Sequence, residues 1–210
     1  MAISLAAALA LAAQCAPTVA PETLLSVVQV ESRFEPLAIG VNGAARIMVA
    51  PTSVDDAVAK AGALIAAGRS IDLGLAQINS KNLSWLGLSL PEVFEPCTNL
   101  RAAARILQGG YARSDAVHVG EQAALKTALS YYNTGDPARG FSNGYVGKVA
   151  TAAERIVPAI GVASLASPSE SRPAAPPEIP PPPWDVFGEV HHGRGGFVTT
   201  VSTTAPGGSQ

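Results

Sequence analysis

The chain has 210 residues, of which 48% are hydrophobic and 14% are charged, and its formal net charge is −2. This composition excludes a wholly disordered chain, and the lack of a basic surplus argues against nucleic-acid binding through phosphate neutralisation. Ten of the 17 prolines follow Val157, so the chain contains two segments of different character.

The first segment of the chain, residues 2–13, consists almost entirely of alanine and leucine. A secretory signal would carry Lys or Arg before such a run, yet the first basic residue is Arg33. The run is also too short to span a bilayer as a helix. We therefore expect residues 1–13 to form a first core helix, with a signal peptide as the alternative, and we expect no stable membrane span.

Five further helices are predicted from apolar periodicity and from capping residues. Pro21 suits a first helical position, Ser53 can cap the next helix, and Pro158 is expected to end the last one. From Thr98 onward, apolar residues fall on one helical face as far as Tyr111. The predicted helices cover residues 21–34, 53–68, 98–111, 121–132 and 144–157.

A small β region is predicted directly after the helix that carries Glu31. Two short apolar runs, at residues 37–41 and 46–49, surround Asn42-Gly43, which is a hairpin signal. Residues 70–78 can add an extended piece. The predicted fold class is therefore mainly α with a small β-hairpin excursion.

The composition changes at Pro158, after which Pro, Ser, Ala and Gly dominate. Residues 180–183 are consecutive prolines, which favour an extended polyproline helix. We therefore predict one domain over residues 1–157, followed by a disordered Pro/Gly/Ser-rich tail over residues 158–210.

The two cysteines, Cys15 and Cys97, do not have the spacing of a metal site, and the chain has only three histidines. We expect no metal and no organic cofactor. The cysteines can be buried free thiols, or, in an oxidising compartment, a disulfide that closes a loop of about 80 residues.

Glu31 is the first candidate for chemistry, because it follows Val27-Val28-Gln29-Val30 near a predicted helix end. Desolvation raises the pKa of a carboxyl group, and a Glu that is protonated at neutral pH can act as a general acid. The alternative interpretation is a solvated Glu at a helix terminus.

Two polar segments are further candidates. In the run Gly-Leu-Ala-Gln-Ile-Asn at residues 74–79, Gln77 and Asn79 offer paired donors and acceptors that suit sugar hydroxyl and acetamido groups. In residues 130–135, tyrosines beside an amide and a glycine can form a wall for a sugar ring. Each segment alone is equally compatible with an ordinary turn or helix cap.

Together these motifs and their order resemble the soluble lytic transglycosylases and their lysozyme-like catalytic domain. The resemblance rests on Glu31-Ser32, the run at 74–79, Tyr132-Asn133 and Tyr-Val-Gly-Lys-Val at 145–149. Gln-Cys-Ala-Pro at 14–17 and Phe-Glu-Pro-Cys-Thr-Asn-Leu at 94–100 look like the members that accompany type IV secretion, or conjugation-type, systems. The resemblance covers roughly residues 5–157.

This resemblance implies a lyase that cleaves the β-1,4 bond between N-acetylmuramic acid and N-acetylglucosamine in peptidoglycan and forms a 1,6-anhydro product. Glu31 would be the single acid/base. Tyr145 would lie near it, and the saccharide groove would be lined by Ser32, Gln77, Asn79, Tyr132 and Asn133.

The resemblance also implies export to the periplasm, where the enzyme would open the wall locally for a type IV secretion or conjugation apparatus. An oxidising compartment favours the Cys15–Cys97 bridge. The proline-rich tail is a candidate contact for components of the apparatus.

Two alternatives remain at this point. Asp72 lies close to the groove motif, and as a second carboxylate it would make the protein a hydrolytic muramidase. A non-catalytic wall-binding scaffold would keep the groove but would have no need of an acid at Glu31.

Overall fold

The computed structural model describes residues 1–43 and 47–166, and for residues 162–166 it describes the helical backbone only. The fold is mainly helical with a small antiparallel sheet, as the sequence predicts. Before the last helix, the structure describes five long helices, which are α1 Leu5–Cys15, α2 Pro21–Glu31, α3 Val54–Ala66, α6 Pro96–Ala112 and α8 Glu121–Thr134. The shorter ones are α4 Leu83–Leu86, α5 Leu90–Phe94, α7 Ala116–Val119 and α9 Arg139–Ser142, and the last helix is α10 Tyr145–Ala166.

The alanine-rich first segment forms a helix, α1, whose buried residues join the core. The Ser4 side chain caps α1 by accepting a hydrogen bond from the Ala7 amide at 3.2 Å. Ala8 and Ala12 are buried and let α1 approach α2, α6 and α10 closely. Within the residues that the structure describes, no helix is both long and apolar enough to cross a membrane.

The cysteines are joined in a disulfide, with their Cα atoms 5.3 Å apart. The bond links the last residue of α1 to the first turn of α6. In the structure, the two cysteines therefore form a disulfide and are not buried free thiols.

The helix starts lie within one residue of the predicted ones except for α6, which begins at Pro96 rather than Thr98 because Glu95 caps it. The ends differ for local reasons. Ser53 accepts a hydrogen bond from the Asp56 amide at 3.1 Å. Helix α2 ends at Glu31 rather than near Phe34, because Arg33 and Phe34 adopt positive φ angles of 55° and 65°.

The predicted end of the last helix at Pro158 is wrong, since α10 continues through this proline to Ala166. Proline removes one backbone hydrogen bond, here to the carbonyl of Glu154, an exposed residue. Ile156 and Ile160, on either side of the proline, are both buried against the core and hold the helix in place. Residues 158–166 of the predicted tail at 158–210 therefore belong to α10. The tail from residue 167 onward lies outside the described residues, and its disorder stays a prediction.

The sheet contains β1 Ile39–Val41, β2 Ile47–Val49, β3 Ile71–Leu73 and β4 Ile78–Asn79, in the order β2-β1-β3-β4. The predicted hairpin is present, with Val41 opposite Ile47. The extended piece at 70–78 is two antiparallel strands, because Gly74 and Gln77 have positive φ angles of 76° and 52° and reverse the chain between them.

Helix α2 lies at the centre of the core. Its side chains Leu24, Leu25, Val27 and Val28 have no exposed surface, and α10 packs along it. This packing positions the end of α2, where Glu31 lies, relative to the start of α10.

We predict that replacing both cysteines by alanine lowers the thermal unfolding temperature by roughly 10 °C. The closed loop spans 82 residues, and loop entropy then gives about 4 kcal/mol of stabilisation. Differential scanning calorimetry measures the shift. Adding reductant should bring the wild-type transition down to that of the variant and leave the variant unchanged, and equal transitions for both oxidised proteins would contradict the prediction.

Candidate functional site

A groove of about 700 Å³ runs between the sheet and the end of α8. Its lining is polar for the most part and brings together residues from five parts of the chain. They include Glu31, Asn42, Asp72, Gln77, Asn79, Lys81, Trp85, Arg113, Tyr132 and Asn133.

Glu31 is the last residue of α2 and is only 9% exposed. Its Oε1 accepts a hydrogen bond of 2.6 Å from the hydroxyl of Tyr145, the first residue of α10. Tyr145 is itself buried, so this bond between residues 114 positions apart is largely shielded from water. The carboxyl group is therefore held in one orientation at the wall of the groove, in contrast to a solvated helix-terminal Glu.

Asp72 lies in β3 and also lines the groove. Its two oxygens accept hydrogen bonds from different side-chain amides, at 2.7 Å from Asn79 and at 3.1 Å from Asn42. These bonds tie β3 to β4 and to the end of β1. The arrangement suits a residue that orients the groove wall.

The segment at 74–79 depends on a close approach between backbone and side chain. A Cβ atom on Gly74 would lie 2.3 Å from Nδ2 of Asn99, so only glycine fits there. Gln77 keeps its left-handed backbone although such a conformation costs a non-glycine residue on the order of 1 kcal/mol. The local fold of this segment must therefore be imposed by its contacts.

Asn99 of α6 supplies those contacts and has no exposed surface. Its Oδ1 accepts from the Ala76 amide at 2.8 Å, and its Nδ2 donates to the carbonyls of Leu73 and Val93 at 2.9 and 2.7 Å. Sequence reasoning did not select this residue. One signal in the sequence could have found it. Asn99 is an amide side chain on the apolar face of α6, one residue before Leu100 and four before Ala103.

Gln77 and Asn79 both lie in the groove, but their amide donors already have protein partners. Gln77 Nε2 donates to the carbonyls of Ala38 and Gly74, both at 2.9 Å. Asn79 Nδ2 donates to Asp72 and, at 3.2 Å, to Ser70. In this structure the two amide donors shape the groove, and a direct contact of either residue with a sugar stays a prediction.

Tyr132 forms part of the opposite wall. Its ring is partly exposed in the groove, and its enclosed hydroxyl donates a 2.6 Å hydrogen bond to the carbonyl of Ala76. Burial, and secondarily the negative charges of Glu31 and Asp72, raise the pKa of Tyr132 well above its ordinary value. Tyr132 therefore remains a hydrogen-bond donor that ties α8 to the segment at 74–79.

The remaining two predicted residues have different positions. Asn133 is exposed in the groove, and its Oδ1 accepts from Asn143 at 2.8 Å. Asn143 in turn accepts from the Tyr145 amide at 2.9 Å, so it connects the groove wall to the start of α10. Ser32 is buried, its hydroxyl donates to the Val28 carbonyl at 3.4 Å, and it is not among the residues that line the groove.

Trp85 is a groove residue that the sequence analysis missed. It is 53% exposed, although its Nε1 donates to Asn82 at 3.1 Å and the Arg105 guanidinium lies 5.6 Å from the ring centroid. An aromatic ring held in this way presents a flat surface to a ligand. No sequence pattern marks it, because the short helix α4 that carries it lacks a detectable period.

The described residues contain no group of three His, Cys, Asp or Glu side chains that could hold a metal ion. The chemistry available in the groove is that of one oriented, shielded carboxyl group, a second carboxylate held by amides, the cationic side chains of Lys81 and Arg113, and an aromatic and amide lining. This set suits acid/base chemistry on a neutral, hydroxyl-rich ligand.

Comparisons with known proteins agree with this geometry. The family described as "Transglycosylase SLT domain" matches residues 8–154. "Protein virB1" of Agrobacterium fabrum is 42% identical over 177 residues, which are 84% of this chain and 69% of the relative. "Type IV secretion system protein virB1" of Brucella suis is 42% identical over 163 residues, 75% of this chain and 68% of the relative.

The corresponding protein of Brucella abortus is 44% identical over 152 residues, 70% of this chain and 63% of the relative. No solved structure matches the chain. The family match covers well over half of the sequence and includes Glu31, the segment at 74–79, Tyr132 and Tyr145. The chain therefore belongs to the transglycosylase SLT domain family and is a lytic transglycosylase similar to the virB1 proteins of type IV secretion.

Proposed function

We propose that the enzyme cleaves the β-1,4 bond between N-acetylmuramic acid and N-acetylglucosamine in peptidoglycan, with Glu31 as the single acid/base. The observation that carries the proposal is the shielded Glu31 carboxyl group, held at the groove by the Tyr145 hydroxyl. A family of transglycosylases also favours catalysis over a scaffold that merely binds the wall.

The proposed reaction uses one proton that leaves Glu31 and one that returns to it. Glu31 protonates the glycosidic oxygen as the bond from that oxygen to C1 of the muramic acid breaks. The resulting carboxylate then accepts the proton of the C6 hydroxyl, whose oxygen forms a bond to C1. The product is a 1,6-anhydro sugar, and no water is consumed.

The single-acid scheme is supported by how Asp72 is held. Both of its oxygens accept hydrogen bonds from side-chain amides, whereas a hydrolytic base must bind and deprotonate a water molecule. The substrate's acetamido group can stabilise the positive charge that develops at C1, as in other substrate-assisted glycosidases.

The lining of the groove suits an uncharged glycan. Trp85 and Tyr132 offer aromatic surface for sugar rings, and Asn133 is exposed with an amide among them. Amide and aromatic contacts can hold such a strand without a large positive charge, in agreement with the net charge of −2.

We further propose that the enzyme acts in the periplasm and opens the wall for a type IV secretion or conjugation apparatus. Two observations support this location and role. Both Brucella virB1 relatives are named as type IV secretion system proteins, and Cys15 and Cys97 form a disulfide. A contact of the apparatus with the tail at 158–210 stays a prediction for residues largely outside those described.

Glu31→Gln should lower the release of soluble muropeptides from peptidoglycan at least a thousandfold, by order of magnitude, because the proton donor is lost. The amide oxygen can still accept from the Tyr145 hydroxyl, so folding should be preserved. Mass spectrometry of the digest measures the anhydromuropeptides, and thermal unfolding is the control. Near-normal release by a folded Glu31→Gln protein would refute the proposal.

Asp72→Asn should reduce activity by about tenfold and leave the product unchanged. The substitution weakens the hydrogen bonds to Asn42 and Asn79 and so loosens the groove wall, but it does not remove the acid. The ratio of anhydro ends to reducing ends in the digest is the readout. A wild-type digest rich in reducing ends that disappear in this variant would instead indicate a muramidase.

Trp85→Ala should raise the KM for glycan strands about tenfold and leave kcat within about twofold, since the ring binds but does not react. Trp85→Phe keeps an aromatic surface and serves as the matched control, with a KM close to wild type. Steady-state kinetics on glycan strands separate the two constants. An unchanged KM in Trp85→Ala would exclude the ring from the binding surface.

A further inference from the structure

A second concave surface lies on the other side of α2 from the groove. This cleft has a volume of about 610 Å³ and lies between α2 and α10. It is lined by Gln29, Val30, Arg33, Gly147, Lys148, Thr151, Ala152, Arg155 and Ile156.

The cleft is basic. Arg33, Lys148 and Arg155 are all exposed, and none of their side chains has a hydrogen bond or ion pair to another described residue. Among the described residues that line the cleft, none is acidic. Three like charges therefore face one concavity with no partner among the residues that the structure describes, an arrangement that an anionic ligand would stabilise.

Its groups are well placed to bind a ligand together. Lys148, Thr151 and Arg155 follow a spacing of three and four residues on one face of α10. Arg33 approaches from the end of α2, where a φ of 55° turns the chain out of the helix. Two guanidinium groups, an ammonium and a threonine hydroxyl then offer the donors that carboxylates prefer.

The cleft is close to the proposed site of bond cleavage. Gln29 lies on the opposite face of the last turn of α2 from Glu31, and Arg33 follows just after the helix end, so the end of α2 borders both the cleft and the groove. On α10, Lys148 is one turn beyond Tyr145, and Arg155 lies seven residues beyond Lys148, roughly 10 Å along the helix at 1.5 Å per residue. An extended peptide covers this distance with about three residues.

We propose that this basic cleft binds the free carboxylates of the peptide that the muramic acid carries. The inference rests on the proposed function, because that function places a muramic acid beside Glu31. The peptide is attached to this sugar and is of the length that the distance along α10 requires. Peptide-bearing strands would therefore be held at two places, the glycan in the groove and the peptide in the cleft.

The test compares Lys148→Gln/Arg155→Gln with Arg101→Gln/Lys126→Gln. Both double variants remove two exposed positive charges, the first pair inside the cleft and the second on other parts of the surface. Each protein is assayed on peptidoglycan that carries its peptides and on glycan strands stripped of peptide by an amidase. We expect the cleft variant to lose about tenfold in kcat/KM on the peptide-bearing substrate and less than twofold on the stripped strands. The surface variant should match wild type on both.

A binding measurement keeps the result independent of catalysis. The soluble tripeptide L-alanyl-γ-D-glutamyl-diaminopimelate is titrated into each protein, with its fully amidated form as the uncharged control, and amide chemical shifts are followed by NMR. Shifts of cleft residues in wild type that weaken in the cleft variant and are absent with the amidated peptide support the inference. No shifts at the cleft, or equal losses on both wall substrates, would overturn it. An inactive wild type that still binds the tripeptide would refute the proposed function and leave the cleft supported.

Discussion

The hydrogen bond between the Tyr145 hydroxyl and Glu31 is the contact on which the site depends, because it joins the end of the central helix to the start of the last one. The packing of α2 along α10 positions both residues, and it buries the apolar side chains of both helices. Hydrophobic burial thus fixes where the carboxyl group lies, and one polar contact fixes its orientation. The same packing leaves the opposite face of α2 to border the basic cleft.

The other wall of the groove depends on polar groups that have little contact with water. Asn99 holds the backbone at Leu73 and Ala76, and Gln77 holds the carbonyls of Ala38 and Gly74. Removing one partner would leave a buried donor or acceptor unsatisfied, which costs about 1 to 3 kcal/mol. Such a network explains how Gln77 keeps a left-handed backbone, and it gives the groove a fixed shape before any ligand binds.

Sequence reasoning predicted the long helices and the hairpin, because periodicity, caps and turn residues report these features locally. The closeness of Tyr145 to Glu31, 114 positions apart, followed only from the family resemblance. Sequence reasoning failed at Pro158, where burial of Ile156 and Ile160 outweighs the lost hydrogen bond. It also could not assign partners to the Gln77 and Asn79 amides or detect Asn99 and Trp85 as part of the site. Those roles depend on contacts between segments far apart in the chain, which one sequence does not display.

In the proposed mechanism, a single carboxyl group, shielded and oriented by a tyrosine, is the only acid/base. Its chemical consequence is a cleavage that consumes no water. The most direct test is to digest purified peptidoglycan with the enzyme in water enriched in heavy oxygen and to analyse the products by mass spectrometry. We expect 1,6-anhydro products, each lighter than the hydrolysis product by one water molecule and free of heavy oxygen. Reducing-end products that carry the heavy isotope at C1 would contradict the account, since they require a water molecule activated by a second group such as Asp72.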